Sequence, residues 1–252
     1  MHRSLLLLLV GAVLSLLGLL PRGASAAPPV AGLASLAAGD TPAAAAATPG
    51  PGPVAPGIPA SSTKRWLVDP ARSSFVLQVF KAGAAAALAH DHVVHATKYT
   101  ARLSADPADP TTASIEVTVP TAALDIDDPA VRARFQLPAN VSERDRNAVL
   151  EAMRGDEVLD VDRFPTIVFR STAVKAAADG SLTLSGNLTL HGVTRPVAMP
   201  LSARVAGDAI DAQARFAFKT SDFGMPPYSA MFGAVRCKDE VVLNLHVVAV
   251  AR

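Results

Sequence analysis

Residues 181–199 read SLTLSGNLTLHGVTRPVAM. Leu182, Leu184, Leu188 and Leu190 alternate with Thr183, Ser185, Asn187 and Thr189. That period of two marks a strand with one dry and one wet face. Gly186 falls on the dry face, where it removes a side chain or permits a bend. His191-Gly192-Val193-Thr194 makes a turn, and Val197, Met199 and Leu201 resume the alternation. The pattern belongs to an antiparallel sheet whose apolar face must be covered or closed on itself.

The same pattern extends to both sides. A strand is expected where Phe75, Leu77 and Val79 alternate with Val76, Gln78 and Phe80. Residues 81–88 are Ala-rich and read as a short helix or a bend, and residues 92–103 resume an extended pattern. Asp106-Pro107-Ala108-Asp109-Pro110 is turn chemistry. Ile115, Val117 and Val119 alternate with polar residues until Pro120 ends the ladder. Residues 164–171 (FPTIVFRS), 210–218 and 241–250 complete the strands, with Phe216 and Phe218 sharing a face. One helix is expected between them. Ser142 and Asp145 form a capping-box variant; Val149, Leu150 and Met153 make an apolar stripe opposite Arg144, Glu151 and Arg154; Gly155 stops it. About eight strands and one amphipathic helix describe an all-β sandwich or barrel. Closure would remove the exposed edges that invite aggregation.

The first residues read differently. His2-Arg3, an apolar run over residues 5–20 and Ala24-Ser25-Ala26 have the layout of a cleavable signal peptide, with cleavage expected after Ala26. An uncleaved anchor is the alternative. Residues 27–63 are rich in Ala, Pro and Gly and nearly uncharged, so they form no core and read as a disordered linker. Residues 64–252 are the expected folded domain. The chain is therefore expected in the periplasm or secreted. A single cysteine, Cys237, rules out an intramolecular disulfide. A net charge of +1, with no basic stripe interleaved with aromatics, argues against nucleic acid as a partner.

Five motifs, in order, resemble the YceI-like family of exported polyisoprenoid-binding proteins. They are Leu67-Val68-Asp69-Pro70; residues 153–160 (MRGDEVLD) with Arg163-Phe164-Pro165; Phe169-Arg170-Ser171; residues 186–197 (GNLTLHGVTRPV); and Ser221-Asp222-Phe223-Gly224-Met225. The resemblance covers nearly all of residues 67–252. It implies a lipocalin-like antiparallel β-barrel whose lumen holds a polyprenyl lipid or an isoprenoid quinone, with no catalysis and no cofactor. Transient membrane contact and a homodimer are compatible with that reading. The sequence departs from the family pattern at residues 84–95, AAAALAHDHVVH, where many members carry one histidine and a Gly-aromatic stretch.

Inward-facing, ligand-binding positions are expected at Phe75, Leu77, Val79, Ile167, Phe169, Leu188, Leu190, Phe216 and Phe218, with His90 and His92 as polar contacts at the barrel mouth. A rival reading is a metal- or haem-associated redox protein using His90, His92 and His95, with His191 or His246 completing the ligand set; no metal ligand is assigned in the preferred reading. No G-x-S-x-G elbow supports a nucleophilic enzyme. Arg236 and Lys238 beside Cys237 would lower its thiol pKa, although a bland strand cysteine is the preferred reading. Asp125, Asp127 and Asp128 lack the glycine and distal Glu of a calcium loop and read as a solvated acidic turn.

Overall fold

The computed structural model describes residues 62–252. The expected leader, and the expected linker up to residue 61, lie outside them. The strands are β1 (Lys64–Val68), β2 (Ser74–Ala82), β3 (His92–Ala96), β4 (Thr100–Asp106), β5 (Asp109–Pro120), β6 (Leu124–Ile126), β7 (Thr166–Ala176), β8 (Leu182–Leu190), β9 (Val193–Ala206), β10 (Ala209–Lys219), β11 (Ser229–Ala230) and β12 (Val235–Ala251). Among the described residues there are two α-helices, α1 (Pro129–Arg134) and α2 (Glu143–Arg154).

The sheet closes on itself. β12 pairs with β10 along one edge, and with β2 and then β1 along the other. β1 pairs onward with β4, and the ladder runs through β5, β7, β8 and β9 back to β10. Every pairing is antiparallel. The result is an eight-stave barrel in which β1 with β2, β3 with β4, and β5 with β6 are each one stave with a break. The breaks follow local chemistry. Asp69 Oδ1 accepts from the Ala71 amide at 2.9 Å around Pro70, which has no amide to give the ladder. Pro120 ends β5, and a 3-10 turn at Thr121–Ala123 leads into β6.

Alternation sets the faces. In β8 the leucines at 184, 188 and 190 are buried while Thr183 and Asn187 are exposed. Gly186 is buried opposite a bulge in β7, where the register shifts between Ser171 and Ala173. A Cβ on Gly186 would stand 2.5 Å from the Phe169 ring and from the Arg170 carbonyl oxygen. The missing side chain thus both admits the ring and permits the close approach of the bulged strand.

α2 begins as expected, with Ser142 Oγ accepting from the Asp145 amide at 3.1 Å. Met153 is buried beneath it, in a cluster with Val94, Ile126, Leu159, Leu188, Leu190, Phe223 and Met225. The helix also finishes the barrel's weak point. Among the described residues β6 pairs only with β3, which leaves the carbonyls of its other edge without a strand partner there. Arg146 Nε donates to the Ile126 carbonyl at 2.7 Å, and Arg154 Nη2 to those of Leu124 and Ala122 at 3.1 and 3.0 Å. Two guanidinium groups stand in for the absent strand.

α1 was not anticipated. Its six residues are too few to display a periodic stripe. Asp128 caps it, accepting from the amides of Ala130 and Val131 at 2.9 and 3.0 Å, and Pro129 sits in the first turn. α1 packs outside the barrel on β3, where Val93 is fully buried. The far end of the barrel is filled by Trp66, Ala105, Ile210 and Ala249.

Candidate functional site

The barrel encloses a cavity of about 630 Å³. Its wall answers which strand face is the lumen. Phe75, Leu77, Val79, Ile167, Phe169, Leu188, Leu190, Phe216 and Phe218 all line it, as do His90 and His92. The registers stack these residues in levels. His92, Val79, Val241 and Phe218 lie side by side across four staves, and Val94, Leu77, Leu243 and Phe216 form the next level. Aromatic rings brace one flank: Phe216 and Phe218 centroids are 5.7 Å apart, and Phe218 meets Phe223 edge-on at 5.5 Å. Val149 and Met153 of α2 line the cavity at the end where His92 stands.

At that end the wall carries a polar cluster. His92 is the first residue of β3, and His90 lies just before it, with ring centroids 4.9 Å apart, edge to face. His92 Nδ1 is 2.5 Å from Asp127 Oδ2. The Asp127 side chain is fully buried. Its Oδ1 accepts from the Val93 amide at 3.1 Å and from Arg132 Nη1 at 2.6 Å. Arg132, itself buried, donates further to the carbonyls of Asp91 and Pro138. Burial, the largest single influence on Asp127, pulls its carboxyl upward. The hydrogen bond and charge of His92, the Val93 amide and Arg132 together outweigh that and hold it below the usual range. Burial, then the neighbouring His92, push His90 below its ordinary value, which favours the neutral ring. His90 Nε2 is buried and, among the described residues, has no hydrogen-bond partner.

The acidic turn is therefore not solvated, contrary to expectation. Asp127 anchors the cluster, Asp128 caps α1, and Asp125 pairs with Arg146 at 2.5 Å. Sequence spacing hid this because the partners lie 5 to 35 residues away. Asp127 adopts a left-handed backbone (φ 52°), which Asp tolerates better than most residues.

The rival ligand set is not assembled. His95 belongs to the outer face of β3, whereas His92, Val94 and Ala96 line the lumen. His246 pairs with Asp211 at 3.1 Å, and His191 stacks on Phe164 with centroids 4.2 Å apart. The metal-capable group that does form is His90, His92 and Asp127, whose ligand atoms lie within 4.8 Å of one another. Both Asp127 oxygens are already engaged by His92, Val93 and Arg132. Arg132 also neutralises the carboxylate. Cys237 is half-buried in β12 and lines the cavity; burial pushes its thiol up, and Arg236 and Lys238 do not depress it.

The YceI-like domain model matches residues 66–249. This chain belongs to the YceI-like family. A UPF0312 protein of Shewanella oneidensis is 34% identical over 130 residues, covering 48% of this chain and 58% of that protein. One from Ectopseudomonas mendocina is 32% identical over 110 residues, covering 44% and 47%. The chain thus spans about half the length of the curated relatives it matches. The crystal structure of Burkholderia cenocepacia BcnA covers 72% of this chain and 98% of its own, with a TM-score of 0.54 at 20% identity, a likeness of fold. The YceI-like barrel of this chain carries its polar cluster on residues 90–92 and 127–132.

Proposed function

We propose that this YceI-like protein is an exported carrier that holds an isoprenoid lipid or quinone in its barrel and performs no catalysis. The observation that carries the reading is the apolar cavity, whose wall is built from stacked Leu, Val, Ile and Phe levels with a buried polar cluster at one end. Its volume falls within the roughly 300–1,000 Å³ of small-molecule pockets. An isoprenoid tail has no hydrogen-bonding groups, and each methylene-sized unit buried contributes about 0.8 kcal/mol. Affinity then follows tail length, and His90 and His92 select the head.

The cluster favours an uncharged oxygen head group over a phosphate. Asp127 and Arg132 cancel one another, and His90 is held toward its neutral form. A quinone carbonyl or a prenyl hydroxyl would engage the unpartnered His90 Nε2 and the neighbouring His92 ring, whereas a phosphate would gain nothing from the Asp127–Arg132 pair and would depend on Lys81, Arg236 and Lys238, which line the cavity beyond the cluster. The signal-peptide layout of residues 1–26 supports export, to the periplasm or out of the cell.

Titration with isoprenoid alcohols and quinones of increasing tail length tests this. Affinity should climb with each added isoprene unit until the cavity is full, and the matched prenyl phosphate should bind more weakly. Affinity independent of tail length would overturn it.

A further inference from the structure

The cavity's helix-covered end carries two loop tips that expose large apolar side chains. One is the 3-10 turn Ala86–Leu88, and the other is the tip of the hairpin joining β11 to β12. Phe232 at the hairpin tip is 99% exposed, Leu88 76% and Tyr228 41%. Phe232 also holds a left-handed backbone (φ 54°), a conformation that costs an aromatic residue free energy. The tips form one platform: the Ala85 amide donates to the Ala234 carbonyl at 2.9 Å. The bare face of Gly83 lies against the same carbonyl, where a Cβ would not fit.

The two loop tips themselves carry cations and no carboxylate. Residues 79–90 and 226–238 contain Lys81, Arg236 and Lys238 and no Asp or Glu. Arg236 and Lys238 are exposed. The nearest carboxylates sit at its margin: Asp91 accepts from the Lys81 amide, Asp239 accepts from Ser221, and Glu240 is exposed beyond it. The platform is continuous with the cavity, since Ala89, His90, Pro226, Pro227 and Tyr228 line it.

We propose that this platform docks on an anionic lipid bilayer. Phe232 and Leu88 insert at the headgroup–acyl boundary, and the exposed Arg236 and Lys238 face the lipid headgroups, with half-buried Lys81 held behind them on the Ala89 carbonyl. Apolar tips ringed by cations match such a surface on both counts, whereas a protein partner would have to supply acidic groups around an apolar pocket. The platform sets the cavity's polar end against the phase in which an isoprenoid lipid resides. This use rests on the proposed function; docking itself does not require a filled cavity.

The test uses the protein as purified from the expressing cell, with Phe232→Trp as a reporter. Trp66 is buried and supplies a constant background. With vesicles containing phosphatidylglycerol, the Phe232→Trp emission should shift to the blue and be quenched by brominated acyl chains; with pure phosphatidylcholine both effects should be much smaller. Replacing Phe232 and Leu88 together with Ser should lower co-sedimentation with the anionic vesicles about tenfold or more. Binding of a soluble short-chain prenol in the absence of vesicles should be unchanged, which separates a failure of docking from a failure of lumen binding. An unshifted, unquenched emission would overturn the proposal. So would a blue shift that follows protein concentration without vesicles, which would make a second copy the occupant.

Discussion

Gly186 and Phe169 occupy one space: the Phe169 ring lies where a side chain at 186 would project, 2.5 Å from the position of its Cβ. The Arg170 carbonyl oxygen closes the same position from the backbone side at 2.5 Å. Gly186→Ala therefore forces either the ring into the lumen or the bulged β7 away from β8. Overpacking of this kind costs about 1–3 kcal/mol. Denaturant melts should show that loss, and the variant should hold less ligand. A melt equal to wild type would mean that the Phe169 ring is not seated over Gly186.

Leu188 is buried on the lumen wall, paired in register with Arg195 and Phe169 on its two sides. Leu188→Asp places an unpaired carboxylate there, costing several kcal/mol unless the group takes up a proton. Stability should be poor at neutral pH and partly recovered in mild acid, the reverse of the wild-type trend. A variant with wild-type stability and ligand content would contradict the assignment of that face to the lumen.

These strand faces were legible because alternation is local. Residues 182–190 carry a period of two that any closed sheet must honour, and Ser142 with Asp145 declares a helix start within four residues. The nine residues expected inside share one parity along their strands, but parity alone does not say which face is the lumen; closure of the sheet does. The breaks at 69–73, 97–99 and 121–123 were less visible, since a bent stave reads as one long strand or as two. α1 is too short for periodicity, and its cap at Asp128 was read as part of a surface turn. Asp127 and Arg132 escaped notice because the cluster joins β3, the end of β6 and α1, and no sequence spacing records that meeting.

Asp127→Asn tests the cluster as a structural element. The change leaves Arg132 buried without its counter-charge, and loss of one partner of a buried pair costs about 3–5 kcal/mol. The sign with pH follows from the depressed Asp127 carboxyl. Its stabilisation is fully present above the unfolded value near 3.8 and is lost as pH falls through the lower folded value. Wild type should therefore lose stability in that acid range more steeply than Asp127→Asn. Parallel acid melts of the two proteins would show that the carboxylate contributes nothing.

His90 makes a separate prediction near neutrality. Its folded value lies below 6.5, so the unfolded chain binds the proton first as pH falls. Stability should decline on acidification through the range just below 6.5, and His90→Ala should flatten that slope. The same variant should keep its fold yet bind ligand about tenfold more weakly, the loss of a neutral hydrogen bond being about 0.5–1.5 kcal/mol. His92→Ala should cost more in stability, because it unseats a partner of Asp127. Unchanged binding in both variants would reduce the pair to a structural feature of the wall.

The central claim is that the lumen holds an isoprenoid chain. Organic extraction of the protein purified under native conditions, followed by mass spectrometry, tests it most directly. The expected result is a prenyl lipid or quinone in near-stoichiometric amount from wild type, and little from Leu188→Asp. An extract with only straight-chain lipids, or an empty lumen accompanied by stoichiometric metal on elemental analysis, would contradict the account.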